Sequence, residues 1–428
     1  MARYDTPEDV AEVLAKLAPA RISRLLDPAV GGGRLVEPLL KQLAEQRTKV
    51  VCLDVDGVAL GGVAKLLRPV LGANLTMEAA DFLEWSSRAC RRKAFDCIVM
   101  NPPFLGKKAD ETEIGLRCDG HDEVRSVSVE AAFTIRCLDL LKAGGVLLSV
   151  LPASLVSGRN GSWVRSLIMS YGAVRYVHEL PAKAFHRLEA RLYLFAFERN
   201  GIRRPTLLCN HDLRFPERLW VRASELGRHD RWDYAFHEAQ RRLETAVKAT
   251  PALGWRRVGD KVTMSRGGLR SPEGKRRGVH TCDFREGTWH LNRAERQRNP
   301  KGERLRPGDL LLRRVGRSCS QSTGIILTNV TVGVTDCVLI LRPKLSTDRS
   351  AMLFGLRLVL GASSGASLIE QGTAATYIAE ESLRRLQIPM RVKEVYPEIY
   401  ERYDTCVKAG DGTALPEIEA ELRGIIGL

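Results

Sequence analysis

The chain has 428 residues, 44% of them hydrophobic, and a net charge of +15, enough for two or three packed domains. No apolar run approaches the ~20 residues of a membrane span, and the residues after Met1 lack the apolar core of a signal peptide, so a protein of the cytoplasm with no membrane partner is expected. The ten cysteines are scattered without a Cys-x-x-Cys pair, which predicts reduced thiols and no metal site; His280 and Cys282, two apart, fall short of a zinc pattern. Between residues 251 and 320 there are 18 Lys/Arg against 7 Asp/Glu, a one-signed stretch that fits a polyanion such as nucleic acid.

Residues 1–200 alternate strand-like apolar runs with helical patterns, the signature of a doubly wound α/β sheet that holds a ligand at its strand ends. Thr6-Pro7 starts a helix that runs to about residue 16, with Val10, Val13, Leu14 and Leu17 at helical spacing. A first strand then runs into Asp27-Pro28-Ala29-Val30-Gly31-Gly32-Gly33. Glycines there let backbone approach a ligand closely, and Asp27 can accept a hydrogen bond from a charged amino group. A second strand, 49–53, ends in Asp54-Val55-Asp56, where a carboxylate is placed to accept the hydroxyls of a ribose. A third, 75–83, ends in Asp81-Phe82, an acceptor beside a ring; taken singly such residues are more often a loop carboxylate and a core phenylalanine.

The strand 96–100 stops at Asn101-Pro102-Pro103-Phe104, because two prolines lack the amide hydrogens a strand interior needs. An amide side chain fixed there can grip an exocyclic amino group on a planar base, although the same tetrapeptide also makes an ordinary turn. Residues 107–129 are polar and read either as a loop over the site or as a disordered insertion. A helix over 130–141, a buried strand over 146–151 and a hairpin built from 174–180 and 192–197 follow, with Phe185 in the hairpin's connection.

These motifs, in this order, resemble the DNA adenine N6-methyltransferases of the gamma class. Asp27-Pro28-Ala29-x-Gly31-x-Gly33 looks like that family's first cofactor motif, Tyr4-x-Thr6-Pro7 is similar to the segment preceding it, and Asn101-Pro102-Pro103-Phe104 resembles its catalytic signature. The resemblance implies S-adenosyl-L-methionine as cofactor, held by Tyr4, Thr6, Asp27, Ala29, Gly31, Gly33, Asp54, Asp81, Phe82 and Asn101, with Asp54 a better match than Asp56. It further implies that Asn101 and Pro102 accept hydrogen bonds from the adenine amino group while Phe104 stacks on a base flipped out of the duplex. Phe185 is a second candidate for stacking on that base, with a core role equally open. This half has no Pro-Cys pair, which argues against cysteine-dependent methylation of cytosine carbon.

Residues 201–250 read as a charged connector and 251–390 as short strands, glycine-rich turns and arginines, closed by helices over 391–428 with Ile418, Leu422 and Ile425 or Ile426 on one face. The Pro307-Gly308-Asp309 turn with its apolar strand, and a helix leading into Ile388-Pro389, resemble one copy of the target-recognition domain of type I restriction specificity subunits. Arg266, Arg270, Lys275, Arg276, Arg277, Arg313 and Arg314 are the candidate DNA contacts, to base edges or to phosphates. The expectation is a doubly wound S-adenosylmethionine-dependent methyltransferase domain over 1–200 followed by an α+β DNA target-recognition domain. It would be a site-specific, adenine-specific methyltransferase of duplex DNA, in a restriction-modification or phage-defence system with a separate nuclease as a possible partner. The alternatives are a methyltransferase of RNA or of a protein amide, and an inactive DNA-binding specificity subunit.

Overall fold

Short apolar runs broken by glycine and proline suit strands buried on both faces, and such strands need helices on either side of them. In the computed structural model, which describes residues 5–89, 94–103, 111–118, 121–181, 184–185, 190–229, 231–270, 278–284, 298–316, 319, 322–326, 329–345, 349–362, 365–372, 376–409 and 413–428, they have both. The chain divides into two compact units, Met1–Tyr234 and Ala235–Leu428.

The first unit runs α1 (Glu8–Ala15), β1 (Arg24–Asp27), α2 (Leu40–Glu45), β2 (Lys49–Asp54), α3 (Gly57–Leu71), β3 (Leu75–Ala79), α4 (Phe82–Ala89) and β4 (Phe95–Met100). It continues through β5 (Glu111–Cys118), β6 (His121–Ser128), α5 (Val129–Leu140), β7 (Leu141–Pro152), α6 (Ala153–Val156) and α7 (Ser162–Tyr171). It closes with β8 (Gly172–Glu179), β9 (Leu192–Arg199), β10 (Thr206–Cys209), β11 (Arg218–Val221) and α8 (Ala223–His229). Nine strands form one sheet in the order β11-β10-β8-β9-β7-β4-β1-β2-β3. β3, β2, β1, β4 and β7 are mutually parallel, β9 runs against both β7 and β8, and β10 is parallel to β8. β1 pairs with β2 on one side and β4 on the other, so the chain leaves it first in one direction and then in the opposite one. A crevice opens at the carboxyl ends of strands around such a reversal.

The strands divide their side chains with period two. Leu25, Val50, Cys52, Cys97 and Val99 share one core with Val10 and Leu14 of α1 and Leu60, Val63 and Leu67 of α3. Leu26, Val51, Leu53, Ile98 and Met100 share the other with Ile135 and Leu138 of α5 and Val164 and Ile168 of α7. The polar 107–129 stretch holds a feature that the reading as loop or insertion does not contain: β5 and β6 pair antiparallel from Glu111↔Ser128 to Cys118↔His121. Ile114 and Val127 are buried in the α5 core and anchor this hairpin. The sequence between its last pair is Asp119-Gly120, the dipeptide that favours a two-residue hairpin connection. The stretch 201–250 carries β10, β11 and α8 within the first unit's sheet and helices, and then a helix over Tyr234–Ala249.

In the second unit a four-stranded antiparallel sheet contains Val262–Arg266, Val338–Pro343, Leu310–Arg313 and Thr323–Ile325 in that spatial order. A three-stranded sheet holds Gly278–Val279, Val330–Val334 and Arg298–Leu305. Gly308 has φ +89°, and a Cβ there would collide with Arg349, so the Pro307-Gly308-Asp309 turn needs glycine. Asp309 braces that turn by accepting from the Arg306 amide at 2.8 Å and from Arg342 at 2.7 and 2.9 Å. The helices Arg349–Leu360, Pro397–Ala409 and Leu415–Ile426 pack around Phe354 and Tyr403, whose rings stack with centroids 3.9 Å apart. Ile418, Leu422 and Ile426 face that core, whereas Ile425 is half exposed. Among the described residues no helix is long and apolar enough to cross a membrane.

The stacked pair makes a direct test of the second core. Phe354→Ala removes a fully buried ring, and a loss of about 3–5 kcal/mol is expected, read as a lower urea midpoint for the unfolding of this unit by far-ultraviolet circular dichroism.

Candidate active site

The crevice around β1 contains a cavity of about 510 Å³, within the size range of small-molecule sites. Thr6, Asp27, Gly31, Asp54, Asp81 and Asn101 all line it, although they are spread over the first hundred residues of the chain. Their convergence follows from topology: Asp27, Gly31, Asp54, Asp81 and Asn101 stand at or just after the carboxyl ends of parallel strands that end on one side of the sheet, and Thr6, just ahead of α1, joins them through its hydrogen bond with Asn101.

Asp27 ends β1 and is 1% exposed. Its Oδ1 accepts from the Ala29 amide at 3.1 Å, which holds the start of the glycine turn. Burial pushes its carboxyl up to about 8; the Ala29 N–H opposes the shift and neighbouring Asp54 adds to it. The turn itself is tied to β2, since the Gly31 amide donates to Asp54 Oδ2 at 2.9 Å with Gly31 at φ +55°. Gly33, at φ +80°, stands one step behind the cavity wall, where a Cβ would lie 3.1 Å from Val63 of α3. The other Asp54 oxygen accepts from the Asp56 amide at 3.0 Å. Asp56 is committed elsewhere: it caps α3 by accepting from the amides of Val58 and Ala59 at 3.0 and 3.1 Å.

Asp81 caps α4 in the same manner, accepting from the amides of Leu83 and Glu84 at 2.8 and 3.2 Å. Phe82 is 2% exposed and packs on Phe133 of α5, with ring centroids 4.8 Å apart, so the two rings form one apolar wall of the cavity. At the end of β4, Asn101 Nδ2 donates to Thr6 Oγ1 at 3.0 Å, and Thr6 is itself buried. That bond and the two prolines fix the amide's orientation at the cavity rim, with Pro102 and Pro103 beside it.

Ala29 also lines the cavity. Phe185 does not; it is 4% exposed and packs in the core with Leu180 and Leu192. Tyr4, Phe104, Lys275, Arg276 and Arg277 lie outside the described residues. In the second unit, Arg266 is half exposed and ion-paired to Glu380, and Arg270 is exposed. Arg313 and Arg314 turn their guanidiniums back onto the Val315 and Asp336 carbonyls at 3.1 and 2.8 Å, bracing their own strand ends. Sequence reasoning missed Thr112, Val129 and Phe133, which also line the cavity. Asp119-Gly120 was the available signal for the hairpin that carries Thr112. Among the described residues no group of three or more His, Cys, Asp or Glu could hold a metal ion. The cavity therefore combines five aspartates (Asp5, Asp27, Asp54, Asp56 and Asp81), a glycine-backbone cradle, an aromatic wall and an oriented amide.

A family model described as N-6 DNA Methylase matches residues 1–223. The defense against restriction protein B of Escherichia phage P1 is 25% identical over 197 residues, which cover 43% of this chain and 8% of that protein. The type II methyltransferase M.BsuBI of Bacillus subtilis is 22% identical over 206 residues, covering 43% of this chain and 40% of that protein, so the chain spans less than half the length of either relative. Among solved structures, the type IIG restriction endonuclease BpuSI is similar at 13% identity and a TM-score of 0.49, over 94% of this chain and 60% of that one. A type I restriction-modification methyltransferase subunit from Streptococcus thermophilus is similar at 20% identity and a TM-score of 0.40, over 48% and 47%.

Burial of Asp27 gives the ligand-free protein a defined pH dependence. Its carboxyl ionises at an ordinary value of 3.8 and in the fold at about 8, so between these values the folded chain keeps a proton that the unfolded chain has lost. Stability then falls as pH rises through that window. Asp27→Asn removes this penalty: thermal melts should show the variant several degrees more stable than the parent at pH 8, with the gain vanishing toward pH 4.

Proposed function

The chain belongs to the N-6 DNA Methylase family, and from that premise we propose that it transfers a methyl group from S-adenosyl-L-methionine to N6 of an adenine flipped out of duplex DNA, at a defined sequence. The observation that carries the reading is the oriented Asn101 amide, held by Thr6 at the rim of a cavity whose other walls are the Asp27, Asp54 and Asp81 carboxyl groups and a glycine turn. The donor set fits this cofactor. Asp27 suits a charged amino group, Asp54 ribose hydroxyls, and Asp81 with Phe82 an adenine. A cation beside Asp27 favours its ionised form, so binding releases the proton that burial retains.

When bound, the cofactor supplies an electrophilic methyl group on a positively charged sulfur. The chain's own task is to make a weak nucleophile reactive, since the lone pair of an adenine amino group is delocalised into its ring. With Nδ2 held by Thr6, the Asn101 amide turns its oxygen the other way, where it and the Pro102 carbonyl accept hydrogen bonds from N6. Two acceptors on one nitrogen favour a pyramidal geometry and free the lone pair for in-line attack. Positioning and electrostatics account for the rate, and no covalent enzyme intermediate is needed. Phe104 stacks on the extruded base. Residues 251–390 serve as the target-recognition region, in which Arg266, Arg270, Lys275, Arg276 and Arg277 meet DNA. The relatives' printed names support a restriction-modification or phage-defence setting.

Expression in a methylation-free bacterium should place N6-methyladenine at one recurrent sequence, read by single-molecule sequencing and nucleoside mass spectrometry. Asn101→Ala should cut turnover at least about 100-fold, on the scale of losing one preorganised hydrogen-bonding group, while cofactor affinity stays within a few-fold. Equal loss of cofactor binding would remove the role given to Asn101.

A further inference from the structure

β10 is parallel to β8, and β8 is parallel through β9 and β7 to β4, so the connection between β10 and β11 emerges at the same end of the sheet as the cavity. This connection, residues 210–217, is an internally tied turn. Asn210 Oδ1 accepts from the amides of Asp212 and Glu217, both at 3.2 Å, and Asp212 accepts from those of Arg214 and Phe215 at 2.8 and 2.9 Å. From below, His178 Nε2 lies 3.1 Å from the Asp212 carbonyl, with Tyr176 Oη 2.6 Å from its Nδ1. The buried His178 stays neutral, its pKa pushed down to about 4 by desolvation, so this chain of hydrogen bonds holds across ordinary pH.

The turn uses this rigidity to hold an aromatic ring in water. Phe215 is 84% exposed, and Trp220, two residues past Arg218 on the same face of edge strand β11, is 59% exposed. Arg214 and Arg218 are exposed, and neither guanidinium makes a hydrogen bond or ion pair among the described residues. The two acids of the segment are occupied: Asp212 by its own turn, and Glu217 by the Tyr234 hydroxyl at 2.9 Å. Both carboxylates keep their charge but neither pairs with an arginine, so the surface presents Arg214 and Arg218 without an ion-pair partner among the described residues, alongside two exposed rings. β4 and β10 are four strands apart, about 19 Å at the usual spacing, or roughly five or six base pairs along a duplex.

We propose that Arg214, Phe215, Arg218 and Trp220 form a docking surface on the catalytic unit for duplex DNA flanking the target base, the arginines on phosphates and the rings against the sugar-phosphate edge. The assignment rests on the reading of the protein as a DNA methyltransferase and adds a contact made by the catalytic unit itself. It accounts for two arginines that stand outside ion pairs and for the aromatic exposure of one internally tied edge at the active end of the sheet.

The test compares the full chain with an Arg214→Ala/Phe215→Ala/Arg218→Ala variant on two duplexes carrying the recognised sequence, one ending about three base pairs from the target adenine and one extending about ten base pairs beyond it. The parent should bind the long duplex at least ten-fold more tightly than the short one. The variant should lose that difference, methylate the short duplex at the parental rate, and show a slope of log affinity against log salt shallower by about 2 on the long one. Because all three side chains are exposed, an unchanged melting temperature is expected, and Phe215→Ala alone should give part of the loss. If the variant keeps the long-duplex advantage while both proteins methylate, the surface assignment falls and the reaction stands. If the variant's only change is in oligomeric state by light scattering, the surface is a protein interface and the assignment falls. If the parent binds neither duplex, the assignment falls together with the reading of the reaction.

Discussion

The pairing of β1 with β2 on one side and β4 on the other is the constraint on which the rest of the first unit depends. A parallel sheet needs crossover helices, and reversing the direction of winding at β1 sends α1 and α3 to one face and α5 and α7 to the other. The strand ends at the reversal open into the cavity. Four segments distant in sequence, each ending in a turn with an acid or an amide, deliver those groups to one opening. The glycine turn after β1 can lie flat there because Gly31 and Gly33 adopt positive φ, and the Gly31 amide is anchored to Asp54 across the reversal.

The electrostatics of that opening run against the stability of the fold. Asp27 is fully enclosed with Asp54 as a like-charged neighbour, and the single amide of Ala29 does not compensate for its lost hydration. A hydrophobic or amide side chain would suit the isolated fold better at neutral pH. A cationic ligand beside this carboxyl would offset the desolvation, and a buried carboxyl lining a cleft is a candidate for such binding. Asp56 and Asp81 show the contrasting arrangement, with their carboxylates supported by two backbone amides each at helix starts.

Much of this site was legible in the sequence because its chemistry sits in local words at strand ends. Asp27 with its glycines, Asp54, Asp81-Phe82 and Asn101-Pro102-Pro103 are each readable where they stand, and the order of strands brings them together. The hairpin of β5 and β6 was less legible because its residues are mostly polar and only Ile114 and Val127 face the core, leaving Asp119-Gly120 as the main local cue. Thr112 and Phe133 reach the cavity through tertiary packing that no periodicity reveals. Phe185 shows the same limit from the other side. An aromatic in a connection reads identically whether it stacks on a ligand or fills a core, and only the fold around it shows that it packs with Leu180 and Leu192.

Charge was the coarsest signal, and the structure refines it residue by residue. A large positive balance reads as affinity for a polyanion, yet many of the arginines hold the fold together. Arg231 with Asp233 and Arg357 with Glu419 are buried pairs, Arg342 clamps Asp309 beneath the Pro307-Gly308 turn, and Arg313 and Arg314 are spent on backbone carbonyls. A guanidinium committed to such a bond must break it before it can reach a phosphate, and the cost of leaving the partner unsatisfied offsets the gain. The arginines to weigh as DNA contacts are therefore those standing outside such bonds. By that criterion a short turn at the edge of the catalytic sheet, with Arg214 and Arg218 beside Phe215, ranks with the arginine-rich stretch that dominates the composition.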